Sequence, residues 1–445
     1  MNKSLPTTLT NRAAPFSINH SHAFVEATRC LGCYDAPCTR ACPVHIDVPG
    51  FIRRIAQENL GGSNQLLIER NPLAAICGLV CPTFDLCEGA CVLPRMGQSA
   101  IRIGALQFYV ASRFQVREML NENDLQAQIA VVGGGPSGIG CAVILRRLGY
   151  HVHLFDSDSG LGGLVNQVIP SYRLLQEVAT HDLKRLEQYG VDFHFKVHVT
   201  PDMLSSLEKE YDAVFLGIGL GKLSQNTFPG VDLEGVRSAM DFMKQARLFA
   251  QGKAPMPVTG ERVVVVGGGN VALDTVVLAK KLGAERAIVL YRRSLEEMPA
   301  WRSEYLDASE VGVEFRWLST IKCIVGEGNR VKAIEVQPMR RTGVHDGGRS
   351  SVEKDLTAHP YVLPCDTVLL ALGQRLDNSW ADAVGLSITP QGTISIELST
   401  HQTGRPKIFA GGEAAIGGST VVASLADGMA AGNSIHLWLS SQGSD

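Results

Sequence analysis

Residues 129 to 155 and 263 to 291 carry one design twice. In the first copy a short apolar strand, Ile129 to Val132, runs into Gly133, Gly134, Gly135, Pro136, Ser137 and Gly138. A helix follows through Leu148, then a second strand, Val152 to Phe155. In the second copy Val263 to Val266 runs into Gly267, Gly269, Asn270, Val271 and Ala272, a helix to Leu282 and a strand from Ala287 to Tyr291. Glycines at these spacings permit a sharp turn and let the backbone approach a pyrophosphate at a helix N-terminus. Two such units imply an α/β chain with two nested Rossmann-like, dinucleotide-binding folds. Each copy has a later apolar strand ending in glycine, Ala213 to Gly219 and Thr367 to Gly373. A last strand from Ile408 meets the loop Gly411-Gly412-Glu413, ahead of a helix from about Thr420 to Leu439.

The chain before the first copy is different. Apolar residues at helical spacing mark Phe51 to Leu60, Asn64 to Ile68 and Ile103 to Leu120, with no alternating strand. Asn121 to Gln128 is polar and reads as a linker. The expected plan is an α-helical domain over 1–125, a first dinucleotide domain over 129–240, a second over 241–370, and a return to the first over 371–445.

Eight of the eleven cysteines lie in the helical domain, in two runs: Cys30, Cys33, Cys38, Cys42 and Cys77, Cys81, Cys87, Cys91. The first reads C-x2-C-x4-C-x3-C-P, a spacing suited to iron–sulfur ligation. Two structural zinc sites would also use eight thiolates, but zinc ligands more often come as two C-x2-C pairs, and only one such pair exists here. A redox domain next door makes electron carriers the better neighbour. Cys141, Cys323 and Cys365 are isolated and read as buried small hydrophobes.

Composition narrows the rest. A net charge of −3 gives no strong pull toward nucleic acid or acidic lipid. The N-terminus lacks the apolar core of a signal peptide, and no run of about 18 apolar residues suggests a membrane span. A soluble, cytoplasmic protein is expected, where clustered cysteines are more often ligands than disulfides.

Several positions suggest which dinucleotide goes where. Asp156, at the end of the second strand, can accept hydrogen bonds from a ribose. Gly162-Gly163 and the Gly412-Glu413 loop resemble the two-dinucleotide flavoproteins, in which the FAD domain is interrupted by the NAD(P) domain. That resemblance implies an FAD set of Gly133, Gly135, Pro136, Ser137, Gly138, Asp156, Gly162, Gly163, Leu164, Arg173, Val199, Gly412, Glu413, Thr420 and Val421. Glu413 stands where such proteins normally have Asp. In the second copy, aligning Gly133 with Gly267 puts Arg292 opposite Asp156 if two residues are inserted. Arg292 and Arg293 would pair with a 2′-phosphate, favouring NADP with NAD as the alternative. The accompanying nucleotide set is Gly267, Gly269, Asn270, Val271, Ala272, Ala371 and Gly373.

CLGCYDAPCTRACP, NPLAAICGLVCPTFDLCEGAC and IRIGALQFYV, followed by the two glycine fingerprints, resemble the flavin and iron–sulfur electron-entry module of dihydropyrimidine dehydrogenases. The module is also similar to the small subunit of glutamate synthase and to ferredoxin–NADP oxidoreductase subunits. The resemblance implies two interleaved [4Fe-4S] clusters: Cys30, Cys33, Cys38 and Cys91 on one, and Cys42, Cys81, Cys87 and Gln107 on the other, with Cys77 a structural neighbour. The glutamate synthase type has a tighter CPAPC in place of CPTFDLC, and the ferredoxin–NADP type usually has Glu in place of Gln107. The implied activity is NADPH oxidation through FAD and both clusters. The implied partner is an FMN subunit, with clusters of its own, that reduces uracil or thymine. Such a chain would work in a hetero-oligomer. A redox-sensing protein that has lost turnover is the reading of another class, fed by Glu413.

Overall fold

The computed structural model describes residues 18–114, 125–223, 228–344 and 350–442. The chain begins with helices. Helix α1 is His20–Thr28, α2 is Val48–Ala56, α3 is Leu60–Arg70, α4 is Ala74–Val80 and α5 is Ile103–Ala111. Three of them start on a side-chain cap: Asn19, Asp47 and Asn59 accept from the amides of His22, Gly50 and Gly62. Helix α4 has no such cap of its own and is buried along its whole length. It lies against α5 so closely that a Cβ on Gly78 would stand 2.8 Å from the Phe108 nitrogen.

Helix α5 was expected to run to Leu120 but ends at Ala111. Ser112 caps it, its hydroxyl turned back to the Phe108 carbonyl at 2.7 Å, and Asn64 captures the carbonyl of Phe114 just past the helix. Residues 115–120 lie outside the described segments, as do 121–124 of the expected linker. The rest of that linker is strand. Strand β1 spans Leu125–Val132, and its outer half alternates half-buried and exposed residues. A polar edge of this kind lacks the apolar run that marks the inner half.

Helix α6 (Pro136–Leu148), β2 (Tyr150–Asp156), α7 (Gln176–Arg185), β3 (Asp192–Phe195), α8 (Pro201–Glu210) and β4 (Ala213–Leu216) continue the first dinucleotide fold. The chain then enters the second. Here β5 (Val236–Ser238), α9 (Ala239–Ala250), β6 (Arg262–Val266), α10 (Asn270–Lys281), β7 (Arg286–Leu290), α11 (Arg302–Glu310) and β8 (Glu314–Arg316) come in order. Four strands that sequence periodicity did not reveal follow: β9 (Ser319–Glu327), β10 (Arg330–Val344), β11 (Ser350–Lys354) and β12 (Tyr361–Pro364). They pair antiparallel on β10. Strand β13 (Thr367–Leu370) then completes a parallel sheet of order β5-β13-β6-β7-β8. Its core joins Val264, Val266, Ile288 and Leu290 to Ile321, Ile334 and Val336 of the antiparallel sheet.

The chain returns through α12 (Asn378–Ala383) to β14 (Ile408–Ala410) and α13 (Val421–Gln442). Strand β14 pairs with β4, giving a parallel sheet of order β14-β4-β1-β2-β3. Helix α13 packs on α6 through missing side chains. A Cβ on Gly428 would stand 1.9 Å from the Ser137 carbonyl oxygen, and one on Gly140 2.4 Å from that of Leu425.

The chain divides into two compact units. One holds Gln167–Ser171 and Leu223–Gly373; the other holds the helical segment and the first dinucleotide fold with its C-terminal return. Strand β5 precedes the expected boundary at 241 and belongs to the second sheet. Among the isolated cysteines Cys141 and Cys365 are buried, whereas Cys323 is half-exposed and bonds Glu335 at 3.3 Å. Cys323 is therefore not the buried small hydrophobe expected: it sits on the first strand of a sheet with one open face. No described helix is long and apolar enough to cross a membrane.

Candidate functional site

Cys30, Cys33, Cys38 and Cys91 line one pocket of about 380 Å³, open mouth included. Its other walls are apolar, from Val48, Ile52, Leu93, Ile101 and Ile103 among others. Burial pushes the Cys38 thiol up to about 11, and the neighbouring Cys30 and Cys91 add to the rise. Burial also raises Cys30, again with Cys33 and Cys91 beside it. Thiols crowded in an apolar pocket resist ionisation until a cationic body joins them. The donor set thus fits an iron–sulfur cluster. Among the described residues no three His, Cys, Asp or Glu side chains converge as the ligands of one metal ion would.

The other four cysteines form a second group. Cys81, at the C-terminal end of α4, is pushed far up by a hydrogen bond with Cys77, then by burial and the charges of Cys77, Cys87 and Cys42. Cys77 is fully buried inside α4. Gln107, expected as a ligand, is buried on α5 and donates its Nε2 to the Ala74 carbonyl at 2.7 Å. That bond occupies the nitrogen end of the amide. The oxygen is the end suited to a hard metal.

The first glycine loop lies at the C-terminal end of its parallel sheet. Gly133 has φ +104, and a Cβ there would stand 2.4 Å from the Gly217 carbonyl oxygen. Pro136 opens α6, with Gly135 as its cap and Gly138 inside its first turn. The Ser137 hydroxyl is buried with no protein partner, at a helix start suited to a phosphate oxygen. The Asp156 carboxylate accepts from the Gly134 amide at 2.5 Å and the Asp158 amide at 2.7 Å. Burial raises its pKa against those bonds. The Gly162 amide bonds the Gly134 carbonyl, and Gly163 lies against Gly135. Leu164, next in line, is part-exposed.

The C-terminal return closes on this loop. Gly412 lies against Ser137, and its amide donates to Asp427 at 2.6 Å. Asp427 in turn pairs with His401 at 3.2 Å, two residues that sequence reasoning missed because nothing local marks them. The Glu413 carboxylate accepts from the Ser419 amide at 3.2 Å, and burial raises its pKa. Thr420 caps α13 by accepting from Ala423, and Val421 is its first residue. Arg173 is half-buried on the segment before α7. Val199 faces the core, its carbonyl taken by the Trp380 indole at 3.2 Å.

In the second fold Gly267 has φ +143, and a Cβ would stand 2.3 Å from the Ala371 carbonyl oxygen. Gly269 caps α10, Ala272 is buried in its first turn, and Val271 is part-exposed. Asn270 accepts from the Trp301 amide at 2.9 Å. Gly373 lies past the end of β13 with φ +91. One expectation needs correction. Val132 pairs with Phe155 and Val266 with Leu290, so the residue opposite Asp156 is Tyr291, not Arg292. The second copy carries one extra residue, not two. Arg292 is exposed one step beyond, and the Arg293 Nε donates to the Ser350 carbonyl at 3.0 Å.

Residues 127–432 match the family model described as pyridine nucleotide-disulphide oxidoreductase, which also matches 96–208. The chain belongs to this family. Residues 10–119 match dihydropyrimidine dehydrogenase domain II, 4Fe-4S cluster. The glutamate synthase [NADPH] small chain of Halomonas elongata is 34% identical over 94% of this chain and 91% of its own. The NAD-dependent dihydropyrimidine dehydrogenase subunit PreT of Escherichia coli is 33% identical over 94% of each. Among solved structures, Mycobacterium tuberculosis FprA in complex with NADPH has a TM-score of 0.59 at 21% identity, over 71% of this chain and 85% of that one. Lactococcus lactis thioredoxin reductase reaches 0.52 at 15% identity, over 71% and 99%. These two share the fold. This oxidoreductase therefore uses NAD(P), FAD and 4Fe-4S chemistry.

Proposed function

We propose that this chain takes electrons from NADPH and passes them to an FMN-containing partner that reduces uracil or thymine. The carrying observation is the sorting of cysteines across the two runs: Cys91 joins Cys30, Cys33 and Cys38 on one pocket, while Cys42 stands with Cys77, Cys81 and Cys87. In this reading the first four hold one cluster. Cys42, Cys81, Cys87 and Gln107 hold the other. Bound FAD and clusters supply the conversion of a two-electron hydride into single electrons.

The chain's own residues do the rest. Gly133, Gly135 and Gly138 give the FAD pyrophosphate its approach, with Ser137 aimed at it and Asp156 on the ribose. Gly162, Gly163, Gly412 and Glu413 close the loop, and Arg173 contacts the flavin. Gly267, Gly269 and Ala272 seat the nicotinamide dinucleotide, with Arg292 and Arg293 on its 2′-phosphate.

The five-residue spacing between Cys81 and Cys87 and the buried Gln107 favour a pyrimidine-reducing partner. The likeness to glutamate synthase small chains favours a second reading, in which the partner is a glutamate synthase large subunit. Affinity purification of the chain from its own cell extract separates them. Co-purification of an FMN protein that consumes uracil with NADPH is expected; glutamate formation with no uracil consumption would replace the first reading by the second. Anaerobic NADPH is expected to bleach the flavin absorption, and a flavin that stays oxidised would mean a binding or sensing protein. Cys77→Ser is expected to keep about eight irons per chain. Loss of half would make Cys77 a ligand in place of Gln107.

A further inference from the structure

Helix α4 carries Cys77 and ends on Cys81, yet the residue at its start, Leu73, offers no cap. The cap comes from α7, 106 residues away. The Asp182 carboxylate accepts from the Ile76 amide at 2.9 Å, the third amide of α4 and one of those a helix start leaves unpaired. One turn further along α7, the Arg185 guanidinium donates to the Pro72 carbonyl just ahead of α4. Asp182 and Arg185 are buried at 0% and 4% exposure and stand 3.6 Å apart. Two charged side chains from the flavin-binding fold thus grip both sides of the entry into the helix that carries the second cysteine group. A pair this deeply buried costs desolvation, which apolar residues of similar size would avoid. What it provides is direction: its two bonds fix where α4 begins and how it is aimed. Helix α4 is only about 10 Å long, so a tilt at its start is passed on to Cys81 at its end. Through the Gln107 bond to Ala74 it is passed to α5 as well.

We propose that Asp182 and Arg185 are positioning residues that hold the second cluster's ligands at a set place against the FAD-binding fold. Neither is among the residues assigned above to the flavin or to a cluster. The inference rests on the proposed reading of Cys81 and Gln107 as ligands of one cluster, and its test does not depend on their being so.

The test uses the full holoprotein with Asp182→Asn, Asp182→Ala and Arg185→Lys. Hydrogen exchange at residues 74–80 is expected to quicken roughly tenfold in Asp182→Ala, and less in Asp182→Asn, whose amide oxygen still accepts, with the rest of the chain changed less than about twofold. The electron paramagnetic resonance signal of the reduced protein is expected to shift. NADPH bleaching of the flavin is expected to keep its rate. Arg185→Lys, which retains a donor and a charge, is expected to keep most of the protection. Should Asp182→Ala not fold, Asp182→Asn decides by a smaller acceleration confined to 74–80, from loss of the charge that faces Arg185. Unchanged exchange at 74–80 would overturn the proposal. So would acceleration spread evenly over the whole chain, which would make the pair a general stabiliser. Failure of the ligand reading shows separately, as loss of iron in Cys77→Ser with exchange behaving as expected.

Discussion

Asp156 and Tyr291 hold the same station in the two dinucleotide folds. Each follows the strand residue whose carbonyl receives the first fingerprint amide: Phe155 from Gly133 at 2.8 Å, Leu290 from Gly267 at 3.0 Å. Each also faces the second glycine of its loop. A Cβ on Gly134 would meet the Asp156 carboxylate at 2.9 Å, and one on Gly268 the Tyr291 ring at 2.4 Å. One fold thus puts a carboxylate at this station, and the other puts an aromatic wall there. A carboxylate suits a free 2′-hydroxyl and repels a 2′-phosphate.

The arginines beyond Tyr291 are expected to set nucleotide preference. Arg292→Ala is expected to raise KM for NADPH about 10-fold to 100-fold, the worth of one or two charge-assisted bonds to a phosphate. KM for NADH should change little. Steady-state dye reduction with each nucleotide reads both, and an equal effect on the two would remove Arg292 from the 2′-phosphate.

Tyr291→Asp is expected to work from the other side. It places a carboxylate at the ribose station of the second fold, and the ratio of kcat/KM for NADH over NADPH should rise about tenfold or more. An unmoved ratio would mean that the station does not face the ribose.

Close packing makes a third expectation. Gly428→Ala would drive a methyl group into the Ser137 carbonyl, so α13 must lift from α6. Overpacking of this kind costs ~1–3 kcal/mol. Thermal unfolding should show the loss, and flavin should leave on gel filtration more readily than from the unaltered chain. Retention of both values would mean that the contact yields without cost.

A pH effect is expected at Glu297. Its carboxylate accepts from the Ser350 amide at 2.6 Å and the Ser294 hydroxyl at 3.1 Å. Burial pushes the group up, but the bonds from Ser350 and Ser294 outweigh it and hold the carboxyl at about 2 against an ordinary 4.5. A depressed folded value stabilises above the unfolded value and ceases to as pH falls through the folded one. The difference in melting temperature between the unaltered chain and Glu297→Gln should be full at pH 7 and shrink from about pH 4.5 towards 2. A difference flat across that window would show that the charge contributes nothing.

The glycine fingerprints were legible because their physics is local. A turn that must bring backbone to backbone leaves no choice of residue, so Gly133 and Gly267 stand out in a single pass. The two strand–loop–helix–strand units followed from them; the order of the strands in each sheet did not. Arg292 was misplaced by one residue because spacing alone does not say where a strand stops pairing; the Val266–Leu290 register does. The outer half of β1 was hidden by its polar residues, and the antiparallel sheet on β10 by strands with one open face. The grip of Asp182 on Ile76 was beyond reach for another reason. A cap normally sits at the start of its own helix, and nothing in the sequence of α4 points to a carboxylate 106 residues away.

The closure of α13 over Ser137 also orders events in time. The first glycine loop is made early in synthesis, but β14 and α13, which back it, are made after the entire second fold has been translated. Domains generally fold as units while the chain grows. The inner fold can therefore be complete while the outer one still lacks an edge strand and the helix that packs against its glycine loop. The setting of the first glycine loop between α6 and α13 is thus a late step in the life of the chain.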